Sequence, residues 1–126
     1  MNLYSNWLGK ARHNQLSPKG EWDVWLILAG RGWGKTLTGA MDSVLYALRN
    51  PDSIVAVVVP TFGDLRRVAF DGVSGILRQI PRELLLTGRG KGYNVTGAEI
   101  SLFNGSKIIG FSATEPDRLR GSQFHR

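Results

Sequence analysis

The hydropathy pattern of this 126-residue chain changes period several times, and each change marks an element. Residues 1–22 are mixed and polar, with Trp7, Leu8 and Trp22 as isolated apolar anchors. Val24-Trp25-Leu26-Ile27-Leu28-Ala29 is an unbroken apolar run of strand length. Its lack of alternation predicts a strand buried on both faces, as in a parallel sheet. Gly30 to Gly34 breaks that run. Leu37, Ala40, Met41, Val44, Leu45 and Leu48 then recur at helical spacing, which predicts a helix from Lys35 to Arg49, ended by Asn50-Pro51-Asp52. Ile54 to Val59 reads as a second buried strand, rich in β-branched residues.

Thr61, with Asp64 three residues on, is a helix-start signal. The helix it opens carries Leu65, Val68, Ala69, Val73, Ile76, Leu77 and Ile80 on one face, and Arg66, Arg67, Asp71 and Arg78 on the other. Pro81 closes it and opens a short helix through Leu86. Residues 88–92 read as a basic, flexible loop. Asn104-Gly105 between apolar runs at 98–103 and 107–112 predicts a β-hairpin. Thr114 to Arg126 reads as a polar loop. Strand, glycine loop, helix, strand is a βαβ unit, so the expected class is α/β with a mostly parallel sheet flanked by helices.

Composition narrows the function classes. At 42% hydrophobic and 21% charged, the chain is globular rather than disordered. No apolar run approaches the roughly 20 residues of a membrane span. The polar start argues against a secretory signal, which points to a cytoplasmic setting. With no cysteine there is neither a disulfide framework nor a thiolate metal site. The sequons at Asn94 and Asn104 are then read as chance. A net charge of +6 favours polyanionic partners, nucleic acid or nucleotides, without choosing between them.

The segment Ala29-Gly30-Arg31-Gly32-Trp33-Gly34-Lys35-Thr36 does change the picture. It fits the phosphate-loop pattern G-x-x-x-x-G-K-[ST] except for Ala29 at the first glycine. It also stands where that motif must stand, between a predicted buried strand and an amphipathic helix. Gly30, Gly32 and Gly34 let backbone N–H groups, with those of Arg31 and Trp33, close around phosphate oxygens. The helix N-terminus adds partial positive charge. Lys35 is expected to reach the β- and γ-phosphates, and the Thr36 hydroxyl to ligate Mg²⁺. Residues 88–92 lack a Ser or Thr after Lys91 and are not read as a second such loop. No apolar strand running into Asp-Glu follows, so the sequence carries the phosphate-binding half of an ATPase site and is expected to bind ATP better than it hydrolyses it.

Trp25 to Ala40 closely resembles the Walker A region of the large terminase subunits of tailed bacteriophages, the ATPases that drive DNA into the procapsid. Arg12 to Pro18 resembles that family's adenine-recognition segment, Val58 to Arg66 its second strand and following helix, and Phe111 to Gly121 the stretch leading to its Walker B strand. The resemblance implies a P-loop NTPase fold of the ASCE, RecA-like kind, cut before the Walker B strand. It divides the chain into an adenine-recognition segment, 1–22, and a partial ATPase domain, 23–126, without the family's nuclease domain. It implies that Gln15 contacts adenine, that Arg31 senses phosphate charge, and that Arg120 is an arginine finger acting on a neighbouring subunit. Implied partners are double-stranded DNA, the terminase small subunit, the portal and procapsid, and further copies in a ring. The helicase form of the motif, and an inactive nucleotide- or DNA-binding remnant, are the alternative readings.

Overall fold

The β-branched run Ile54–Val59 forms a strand, β1, in a computed structural model that describes residues 3–22, 24–28, 30, 33–64, 75–85, 92–94, 98–114 and 124–126. Two helices precede it: α1 (Leu3–Lys10) and α2 (Lys35–Arg49), with a one-turn 3-10 helix at His13–Gln15 between them. After β1 come the short helices α3 (Phe62–Asp64) and α4 (Ile76–Gln79), then β2 (Tyr93–Asn94), β3 (Glu99–Ser101) and β4 (Lys107–Ser112). The strands lie in the order β1-β4-β3-β2. β1 pairs with β4 in parallel, Val55 opposite Ile108, while β4–β3 and β3–β2 are antiparallel. The class is therefore α/β, but among the described residues the sheet is mixed rather than mostly parallel, because the predicted hairpin supplies two of its four strands.

Helix α2 has the bounds the pattern predicts, and its buried face is Thr38, Ala40, Met41, Val44 and Ala47. Small residues dominate it, which lets the helix settle close to the sheet. Leu37, Leu45 and Leu48, expected on that face, are only half-buried. Ala40, Val44 and Ala47 meet Val55, Ile76, Ile100, Leu102 and Ile108 in one core cluster. Fully burying an aliphatic side chain of this size contributes about 1.5–3 kcal/mol. In α1 Trp7 is buried, and the Arg49 guanidinium of α2 stacks 4.3 Å from the Tyr4 ring centroid.

The hairpin forms on Asn104-Gly105, with Gly105 at φ 85°, where a residue with a Cβ is disfavoured. Asn104 does more than turn the chain. Its Nδ2 donates to the carbonyls of Ala47 (2.9 Å) and Leu48 (3.2 Å), and its Oδ1 accepts from the Ser106 N–H and hydroxyl. One amide thus closes the hairpin and satisfies carbonyls in the last turn of α2. The Thr61 start signal is realised: Thr61 Oγ1 accepts the Asp64 N–H at 3.2 Å. The continuation expected through 65–74 lies outside the described residues.

One expectation fails. Residues 24–28 do not form a strand, and Val24, Leu26 and Leu28 are 79%, 73% and 86% exposed. A strand needs a ladder partner. The edge of β1 away from β4 is engaged instead by 124–126: His125 N–H donates to the Ile54 carbonyl (2.8 Å), Ala56 N–H to that of Arg126 (3.0 Å), and Ile54 N–H to His125 Nδ1 (2.9 Å). The βαβ unit predicted from 24–59 is therefore not assembled. β1 is likewise not buried on both faces, since Val58 is 51% exposed.

Candidate functional site

Gly34 opens α2 in the left-handed conformation, φ 93° and ψ 34°, and no side chain caps the helix. The first N–H groups of a fifteen-residue helix have no intrahelical partner, and the glycine before the helix brings no side chain to cap them. No acidic residue sits in the first turn to offset the positive end of the helix dipole. Lys35 and Thr36, the first two helical residues, are exposed. With Gly39, Ala40 and Ser43 of α2 they line a cleft of about 260 Å³ whose far wall is Ala56, Val57 and Val59 of β1. A glycine in a left-handed conformation followed by a right-handed helical residue makes consecutive N–H groups converge, which suits an anion.

Behind Gly34 stands Gln15, 7% exposed and so nearly buried. Its Oε1 accepts the Arg12 N–H at 2.9 Å, closing the one-turn helix that contains it. Its Nε2 donates to Thr38 Oγ1 at 3.2 Å and to the Trp33 carbonyl at 3.4 Å. The three partners fix the amide orientation, since only the oxygen can meet an N–H and only the nitrogen a carbonyl. The Arg12 guanidinium donates to the same Trp33 carbonyl and stacks 5.4 Å from the Trp33 ring centroid. Thr38 Oγ1 donates to the Gly34 carbonyl at 2.8 Å. A Cβ at Gly34 would stand 2.5 Å from Gln15 Nε2, so glycine is required there twice, by backbone conformation and by space.

Gln15 and Thr38 also line a larger cavity, about 590 Å³, on the side of α2 facing the N-terminal segment. Its walls include Tyr4, Trp7, Trp22, Trp25 and Tyr46. The Arg126 guanidinium lies against it, 4.8 Å from the ring centroids of both Trp22 and Tyr46, and pairs with Asp42 at 2.6 Å. Lys35 and Thr36 do not line this cavity; they open on the smaller cleft.

Of the residues singled out from the sequence, Gln15, Trp33, Gly34, Lys35 and Thr36 come together around the start of α2, with Gly30 exposed beyond them. Arg31, Gly32 and Arg120 lie outside the described residues, as does the reading of 88–91 as a loop. Arg12 and Thr38, which lie in the two resembling segments but were given no role from the sequence, join the site. Thr38 stands four residues after Gly34, the spacing at which a helical hydroxyl reaches back to a carbonyl, and that is the signal that was available. Among the described residues there is no group of three or more His, Asp or Glu able to hold a metal, and no helix long and apolar enough to cross a membrane.

Residues 26–126 match the family described as terminase large subunit, T4likevirus-type, N-terminal, so this chain belongs to that family. No curated protein and no solved structure matches it.

Proposed function

We propose that this chain is the ATP-binding part of a viral DNA-packaging motor, with a P-loop NTPase site at the start of α2. The observation that carries the reading is the uncapped, left-handed Gly34 start of α2 with Lys35 and Thr36 exposed on its first turn. Family membership over most of the chain supports the motor context. The residues fit a magnesium triphosphate: converging N–H donors, an ammonium and a hydroxyl, with no carboxylate in the first turn to repel the anion.

In this reading the N–H groups of Gly34, Lys35 and Thr36 bind phosphate oxygens. Lys35 neutralises the β- and γ-phosphates, and Arg31 adds charge from within the loop. The Thr36 hydroxyl would hold Mg²⁺, a hard cation that takes oxygen ligands. When bound, Mg²⁺ neutralises charge on the phosphate oxygens. Arg120 serves as a finger toward a neighbouring copy in a ring. The remaining partners are the small subunit, the portal and procapsid, and double-stranded DNA gripped through its phosphates, in the cytoplasm of a bacterial host.

Titration calorimetry with MgATP tests the reading. Lys35→Ala removes a charge-assisted contact of about 1.5–3 kcal/mol, so affinity should fall roughly ten- to hundredfold. Unchanged affinity would remove Lys35 from the site and with it the phosphate-loop assignment.

A further inference from the structure

The implied role of Gln15 is to read adenine, but its amide faces the loop. Reading a base bidentately requires one amide oxygen and one amide hydrogen turned to the same ligand. Both Nε2 hydrogens of Gln15 are directed at protein acceptors, Thr38 Oγ1 and the Trp33 carbonyl, and Oε1 holds the Arg12 N–H. The side chain is also nearly buried. Contact with a base would break part of this arrangement.

We infer instead that Arg12, Gln15 and Thr38 are positioning residues that aim two consecutive N–H groups of the loop at a polyphosphate. This rests on the reading of the α2 N-terminus as a phosphate site. The mechanism follows from the planarity of the peptide. In a trans peptide the C=O and the N–H of the next residue point in opposite directions. The Trp33 carbonyl is held by two donors, the Arg12 guanidinium and Gln15 Nε2. The Gly34 N–H is therefore turned away from the N-terminal segment. The Gly34 carbonyl is held by the Thr38 N–H (2.9 Å) and the Thr38 hydroxyl (2.8 Å), which turns the Lys35 N–H outward in the same way. Gln15 joins the two peptides, because the hydroxyl that holds the second one accepts its hydrogen bond from the amide that holds the first. The left-handed Gly34 between them gives the paired N–H groups their concave arrangement. Preorganised donors bind more tightly because ordering them is no longer charged to the ligand.

This role differs from base reading in which ligand notices the loss. A positioning residue acts on the phosphates and is indifferent to the base. The experiment compares magnesium tripolyphosphate, MgATP, MgGTP and adenosine on the whole chain by titration calorimetry, for wild type, Gln15→Ala and Thr38→Val. Thr38→Val removes the hydroxyl while keeping the branched shape, and the family resemblance gives Thr38 no role toward the base. A melting curve on each variant checks that it is folded. If Gln15→Ala does not fold, Thr38→Val and Arg12→Met carry the comparison.

The expected result is a loss of about fivefold, the scale of one hydrogen bond, shared equally by tripolyphosphate, ATP and GTP in both variants. The ATP-to-GTP ratio should stay at its wild-type value. A Gln15→Ala variant that shifts that ratio or loses adenosine binding, with tripolyphosphate affinity unchanged, would make Gln15 a base reader and overturn the inference while leaving the phosphate site standing. Unchanged affinity for every ligand would overturn it as well. Wild-type chain that binds neither tripolyphosphate nor ATP would refute the phosphate site itself, and the positioning role would fall with it.

Discussion

The contact between Gly34 and Gln15 can be measured by a double-mutant cycle. Gly34→Ala places a Cβ at a residue with φ 93°, where an L-residue costs about 1–2 kcal/mol. It also places that Cβ 2.5 Å from Gln15 Nε2, inside any tolerable contact. The amide must then move, giving up its bonds to Thr38 and Trp33 at about 0.5–1.5 kcal/mol each. Together the loss is about 2–5 kcal/mol. In a Gln15→Ala background the steric part is gone, because the remaining neighbour, Arg12 Nη2 at 3.9 Å, is at ordinary contact distance, and only the conformational cost of about 1–2 kcal/mol is left. The two substitutions should therefore couple by about 1–3 kcal/mol in urea denaturation, read from midpoints at constant slope. If Gly34→Ala costs the same in both backgrounds, to within about 0.5 kcal/mol, Gln15 does not stand behind Gly34 and the geometry of the site is wrong.

The remaining expectations concern the scaffold and use the same denaturation assay. Asn104→Ala should cost about 2–3 kcal/mol, since it leaves the Ala47 and Leu48 carbonyls without their donor and opens the hairpin. A loss below about 0.5 kcal/mol would show that the hairpin does not dock on the end of α2. Ile108→Ala, at a fully buried position where β4 meets both β1 and β3, should cost about 2–5 kcal/mol. Lys107→Ala beside it breaks only a half-exposed pair with Glu99 and should cost under about 1 kcal/mol. Equal costs at 107 and 108 would contradict the strand register.

What the sequence disclosed and what it withheld divide along local and non-local lines. Helix α2 was legible to the residue, because its apolar spacing and the glycine before Lys35 are local signals. The hairpin was legible for the same reason, since Asn104-Gly105 specifies its own turn. The run 24–28 misled, because a continuous apolar stretch states that a segment seeks burial and does not name the strand that will pair with it. The edge of β1 that it would need holds His125 and Arg126, about a hundred residues away, and no pattern in either segment encodes that choice. At the site, the order of Gly34, Lys35 and Thr36 pointed to the start of α2, where the three stand together. The direction of the Gln15 amide was invisible, because it depends on where Arg12, Trp33 and Thr38 meet in space.

In the proposed function a polyphosphate seats on the N-terminus of α2, against Lys35 and Thr36. Backbone amide shifts in an NMR titration with MgATP test it most directly, because they report the position of the ligand rather than its affinity alone. The largest changes should fall on Trp33, Gly34, Lys35 and Thr36, and tripolyphosphate should reproduce them without the base. Changes confined to the aromatic cavity around Tyr4, Trp7 and Tyr46, with the amides of Gly34 to Thr36 unmoved, would contradict it.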